Sequence, residues 1–154
     1  MENQELLKVW LRDATIEDIP QIANLMSHLG YPTPVEEMEV KMLQILAHPD
    51  YRTILAIYQN EVVGFSGLMR GFSFERSGKY VRIISFVVKK EIRKMGVGKL
   101  LIEASEKWAI EQNADNVVIS SGNRAERLDA HAFYQKVGYE IKSTGFFKSM
   151  LYIS

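Results

Sequence analysis

Apolar residues recur along this chain with two periods, one near 3.6 and one of two, and the points where one gives way to the other mark its elements. Residues 8–14, "KVWLRDA", read as a short strand. Thr15 followed by Asp18 has the form of a capping box, and behind it Ile19, Ile22, Ala23, Leu25, Met26 and Leu29 fall on one side of a helix. Gly30 stops that helix, and Pro32 and Pro34 keep the chain extended before a second one over about 35–47, with Val35, Met38, Met42, Leu43 and Ile45 at near-helical spacing. "TILAIYQNEVVGFSGLMRGF" (53–72) then gives two β-rich runs around Asn60, a hairpin in which Gly64 and Gly67 mark a bend or bulge.

"YVRIISFVV" (80–88) is the most β-prone stretch and too apolar for an edge, which places it centrally in a sheet. The helix after it carries Leu100, Leu101, Ala104, Trp108 and Ala109 inward. "NVVIS" (116–120) is a buried strand, "DAHAFYQKVG" (129–138) a short helix from Asp129 as N-cap to Gly138 as C′ residue, and "YEIKS" and "FFKSMLYIS" are expected to finish the sheet. The order is strand, two helices, three strands, helix, strand, helix, two strands. It predicts an α/β fold with a mixed sheet and helices on both faces, and 154 residues suit a single domain over 1–154.

Composition narrows the function classes. Nineteen basic residues against nineteen acidic ones leave no net charge, hence no global drive toward nucleic acid or an anionic membrane. The absence of cysteine excludes disulfides, thiolate nucleophiles and cysteine-held zinc, and fits a reducing cytosol. The start, "MENQELLKVW", is polar and acidic where a secretory signal would be basic and then apolar, and no apolar run approaches the roughly 18 residues of a membrane span, so a cytoplasmic protein is expected. His28, His48 and His131 lie far apart without ligand spacing, and no metal site is expected.

"IRKMGVGKLL" (92–101) carries the chemistry. Two glycines at the start of a helix lower its stability, and the cations Arg93, Lys94 and Lys99 face the positive end of its dipole. A bound anion would offset both. A P-loop needs a Ser or Thr after Gly98-Lys99, where Leu100 stands, and a glycine where Arg93 stands. A dinucleotide fingerprint needs a third glycine at Leu101 and normally opens its fold. The remaining pattern is RxxGxG after a central strand, with Gly96 and Gly98 letting backbone amides close around a pyrophosphate. Between 89 and 99, five basic residues (Lys89, Lys90, Arg93, Lys94, Lys99) accompany one acid, Glu91.

"SFVVKKEIRKMGVGKLL", with "SSGNRAERLDAHAFYQKVGYE" downstream, resembles the acetyl-CoA-binding signature of the GNAT superfamily of N-acetyltransferases. The resemblance runs from about residue 8 to the end and implies the GNAT-like acyl-CoA N-acyltransferase fold. Lys94 stands where many members have glycine and Lys90 where many have proline, but the pyrophosphate contacts there are mainly backbone amides. By this resemblance Arg93, Lys94, Met95, Gly96, Val97, Gly98 and Lys99 wrap the pyrophosphate. A bulge in the strand ending Phe86-Val87-Val88 splays it from the strand at 116–121, exposing backbone to pantetheine, and an N–H near Val88 receives the thioester carbonyl. Asn123 matches the asparagine that often bonds pantetheine.

The same resemblance makes Tyr134 the general acid beside the thioester sulfur. Some members carry a glutamate on the central strand as base. Here that segment reads Arg82, Ile83, Ile84, Ser85, and two alternatives stay open: Ser85 ordering a relay water, or Glu75 reaching in from the preceding loop. "RLDAH" (127–131) is similar to small-amine acetyltransferases such as those acting on aminoalkylphosphonates. The acceptor would enter between "SHLGYPTPVEEMEV" and "STGFFKS", with Tyr80 and Arg82 beneath, Tyr31, Phe146 and Phe147 as an apolar wall, and Glu36, Glu37 and Glu39 attracting a cationic amine. The expected activity is acetyl transfer from acetyl-CoA to a primary amine. The alternative is a non-catalytic CoA-sensing or interaction module, and a homodimer through the sheet edge or last strand is left open.

Overall fold

A computed structural model of the chain describes residue 6 and residues 8–120, 128–142 and 145–151, with Leu128 described by its backbone alone. The chain divides into two units, Met1–Ser120 and Ser121–Ser154. The first holds β1 (Trp10–Asp13), a 3-10 turn (Ile16–Asp18), α1 (Ile19–Leu29), α2 (Val35–Ala47), β2 (Tyr51–Tyr58), β3 (Glu61–Phe72), β4 (Lys79–Val88), a second 3-10 turn (Lys90–Met95), α3 (Val97–Glu111) and β5 (Ala114–Ile119); the second holds α4 (Leu128–Lys136). The sheet runs β1-β2-β3-β4-β5. Its first four strands are antiparallel and β5 joins β4 in parallel, the mixed sheet expected from the helix between them.

Local chemistry explains the boundaries. The Thr15 N–H donates to Asp18 Oδ2 at 2.7 Å and the Asp18 N–H to the Thr15 carbonyl at 3.0 Å, closing the turn that leads into α1. Asp18 is buried, and Arg12 Nη1 and Nη2 donate to its two oxygens at 2.7 and 2.8 Å, which ties β1 to the helix entry. Gly30 ends α1 at φ 97°. Gln59 and Asn60, at φ 51° and 62°, form the two-residue turn between β2 and β3.

Alternation along β3 divides the core. Phe65 joins Leu55, Ile57 and Val87 in packing under Ile22, Leu25, Met38 and Met42 of α1 and α2. Its neighbour Ser66 points to the opposite face and meets Ser105 of α3, hydroxyl to hydroxyl at 2.8 Å, with both residues fully buried. Helices thus cover both faces of the sheet in this unit.

Four expectations shift. Val35 and Leu43 are exposed, because only Met38 and Met42 of α2 are buried; α3 buries Ile102 and Ser105 more deeply than Leu100 and Ala104. Asp129 lies in the first turn of α4 rather than before it. The last two strands are absent among the described residues: 139–142 and 145–150 carry no strand, and Ile141, Phe146, Phe147 and Met150 are exposed. Their residues suit a pleated surface, but β-propensity is weak by itself and acts mainly through packing against neighbouring strands.

Candidate active site

Beyond Ile83, which pairs with Ile119, β4 leaves β5, while it stays on β3 as far as Val88 opposite Gly64. The break coincides with a bulge: Ser85 pairs with Gly67 and Ile83 with Leu68, so Ile84 is the extra residue. It lies in the strand that ends at Phe86-Val87-Val88, the one expected to carry a bulge. A second irregularity at Val63 sits beside Gly64, where an added Cβ would come 2.8 Å from the Val87 carbonyl oxygen.

Backbone direction after the bulge follows from one bond. The Lys89 N–H donates to the Val63 carbonyl at 2.7 Å. With a period of two, Val87 also faces β3, whereas Phe86 and Val88 turn their N–H and C=O groups toward the side that β5 has vacated. Arg93 Nε takes up this offer, donating to the Val88 carbonyl at 3.1 Å. Of the three predicted residues, Phe86 and Val88 therefore present backbone to the open side, and the Val87 side chain belongs to the core under α1 and α2. Ser85 is half-buried opposite Gly67.

The turn after β4 ends at Gly96, whose φ of 92° is the left-handed conformation that favours glycine. Val97 and Gly98 are buried as α3 begins, and the Leu100 N–H bonds the Gly96 carbonyl at 3.2 Å. The N–H groups of Val97, Gly98 and Lys99 thus precede the first intrahelical bond and are free for an anion. No acid occupies the first turn of α3. Lys94 and Lys99 are exposed and Met95 is half-buried; Lys89 instead reaches Glu61 at 3.4 Å. The predicted cradle from Arg93 to Lys99 is thus one continuous turn and helix start.

Tyr134 lies in the second unit. It is 7% exposed, its carbonyl accepts the Tyr139 N–H at 3.0 Å, and its ring tilts against Phe133 with centroids 5.9 Å apart. Gly138, at φ 104°, ends that segment as predicted. Asn123 lies outside the described residues. Glu36, Glu37 and Glu39 are exposed on α2, and Glu36 and Glu37 fall in its first turn, where acids suit the helix dipole.

A splayed central strand running into a left-handed glycine and an acid-free helix start is what the sequence motif demands. The profile of the Acetyltransferase (GNAT) family matches residues 16–139. The chain belongs to that family. It is 28% identical over 145 residues to an aminoalkylphosphonate N-acetyltransferase of Salmonella typhimurium LT2, covering 91% of this chain and 90% of that one. It is also 34% identical over 99 residues to a candidate acetyltransferase of Bacillus subtilis strain 168, spanning 64% of this chain and only 60% of that relative. An aminoglycoside N-acetyltransferase solved with CoA superposes with a TM-score of 0.80 at 17% identity, over 93% of this chain and 95% of that one, a likeness of fold.

A cavity of about 360 Å3 lies at the start of β4, lined by the 72–76 loop, Gly78–Tyr80, Arg82 and the beginning of β5; it contains Glu75, Tyr80 and Arg82, which the sequence named, together with Arg76, Lys79, Asp115 and Asn116, which it did not. The cue was "ERSGKY", a charged loop with a glycine at its close. An added Cβ at Gly78 would meet only the carboxylate of Asp115, an exposed side chain that can swing away. No helix among the described residues is long and apolar enough to cross a membrane, and no group of three or more potential metal-binding side chains occurs among them.

Proposed function

We propose that the chain is a single N-acetyltransferase domain that transfers the acetyl group of acetyl-CoA to a primary amine of a small molecule by direct attack on the thioester. The observation that carries this reading is the release of β4 from β5 after Ile83, followed within one turn by the Gly96 cradle. The residues present fit the cosubstrate: amides at 97–99 and the positive end of α3 suit a diphosphate, and the Val88 N–H, on the side of β4 away from β3, suits a carbonyl of pantetheine. Bound there, acetyl-CoA would supply an activated acyl group. An N–H on the open side of β4 polarises the acyl carbonyl, Tyr134 donates a proton to the departing thiolate, and Asn123 adds a pantetheine contact. A water ordered by Ser85 relays to solvent the proton that the amine loses, or Glu75 accepts it.

The family match over 16–139 and the N-acetyltransferase relatives support this assignment. Thiol release from acetyl-CoA in the presence of a panel of primary amines tests it, with the acetylated product identified by mass. One observation favours a second reading: β4 carries no carboxylate, which suits a CoA-sensing module without turnover. Tight CoA binding with no thiol release on any amine would decide for that reading.

A further inference from the structure

The cavity at the foot of β4 has a chemistry of its own. Register puts Arg82 opposite Met69 and Val118, on the sheet face that Phe65 shares with α1 and α2. Its guanidinium stands 5.8 Å over the Tyr80 ring and donates to Ser120 Oγ at 3.0 Å. Lys79 Nζ stands 5.6 Å over the Phe72 ring, and Arg76 lines the same cavity. None of the three cations forms an ion pair among the described residues, although Glu75 and Asp115 also line the space. Asn116 Oδ1 is buried there without a donor. A cavity that keeps a half-buried guanidinium without a carboxylate and an acceptor without a donor is shaped for a polar guest.

We propose that this cavity seats an anionic group of the acceptor, with Arg82 as its principal ligand, so that the substrate is an amine carrying a phosphonate, phosphate or carboxylate. The proposal rests on the transferase reading given above. From Arg82 to Ser85 the strand advances about 10 Å, a distance that an extended Arg side chain and a short alkyl spacer share between anion and amine. Glu75 and Asp115 share the lining with the three cations, so the cavity carries an excess of one positive charge, which a purely cationic amine meets and an anionic group offsets. A planar fork binds a tetrahedral or carboxylate anion through two parallel bonds, which Lys79 cannot do.

The test compares ω-aminoalkylphosphonates and ω-aminocarboxylates of two to four carbons with amino alcohols and diamines of equal length, using the full chain and acetyl-CoA. Calorimetry follows phosphonate binding without turnover. The anionic acceptors are expected to show kcat/KM at least tenfold above the neutral ones. Arg82→Gln should reduce that ratio toward one by raising the KM of the anionic acceptors while the KM for acetyl-CoA holds, and Arg82→Lys should restore part of it. The relative rates of phosphonates and carboxylates tell which anion the cavity fits. Equal use of neutral, dicationic and anionic amines, or a ratio untouched by Arg82→Gln in a folded variant, overturns the proposal and leaves the transferase reading standing. Phosphonate binding that depends on Arg82 without acetylation of any amine upholds the anion site and removes the transferase reading.

Discussion

Gly96 meets two demands at one residue. Its φ of 92° turns the chain from the 3-10 segment into α3, and a side chain there would press on Leu6 at 3.3 Å. Gly96→Ala should therefore destabilise the fold by about 1–2 kcal/mol, the usual penalty for an L-residue held left-handed, and weaken acetyl-CoA binding by tilting the amides of 97–99. Chemical denaturation and calorimetry read the two effects separately. Tyr134 is the complementary case, a buried residue whose proposed role rests in its hydroxyl. Removing only that oxygen in Tyr134→Phe should lower kcat by about 100-fold or more, the range of general acid catalysis, with the KM for acetyl-CoA little changed. Turnover equal to the parent protein would take the proton donation away from it.

At the scale of elements, polar contacts fasten the helices where the hydrophobic pattern alone leaves them free to slide. Asp18 is the tie between β1 and α1. Hydrogen bonding from the Arg12 guanidinium holds its carboxyl below the usual carboxylate range against the opposing pull of burial, helped by the Thr15 N–H. A pKa lowered by folding adds stability above the unfolded value, about 3.9, and loses it as pH falls through the folded one. Arg12→Ala should thus cost about 2 kcal/mol near neutrality, and the gap to the parent protein should narrow in urea melts below about pH 4. Between β3 and α3, Ser105→Ala would strand the buried Ser66 hydroxyl and cost about 1–2 kcal/mol, whereas Ser66→Ala with Ser105→Ala together should cost less than the sum of the single changes.

These contacts also show why parts of the molecule were legible in the sequence. Thr15 and Asp18, Gly30, Asn60 and Gly138 act within a few residues, so the local code located α1, the hairpin and the end of α4. The Gly96 turn was legible for the same reason. Ile84 as the bulge, Ser66 facing Ser105, and the gathering of Arg82, Lys79 and Asn116 depend on register between strands distant in the chain. No local pattern encodes that register. Among the described residues of the final segment, 145–151, no strand forms, for the converse reason: Phe146, Phe147 and Met150 favour a pleated surface, but propensity alone supplies no partner strand.

For the molecule as a whole, charge balance decides how anions arrive. With nineteen cations, nineteen anions and a pI near 6.8, the chain offers no long-range pull on a phosphate ligand at neutral pH. Attraction has to act within the last Debye length, about 10 Å at 0.1 M salt; Arg93, Lys94 and Lys99 are the exposed cations on the predicted cradle, and Arg93 is already bonded to the Val88 carbonyl, which leaves Lys94 and Lys99 to vary. Reversing both, as Lys94→Glu with Lys99→Glu, should raise the Kd for acetyl-CoA roughly tenfold at 0.1 M salt, about 1.4 kcal/mol. The pair Lys41→Glu and Lys107→Glu changes net charge equally but acts from α2 and from about 15 Å along α3, so it should leave that Kd nearly unchanged. At about 0.01 M salt the screening length grows to roughly 30 Å, and the remote pair should then weaken binding too. Equal effects of the two pairs at 0.1 M would mean that the diphosphate is not held at the start of α3.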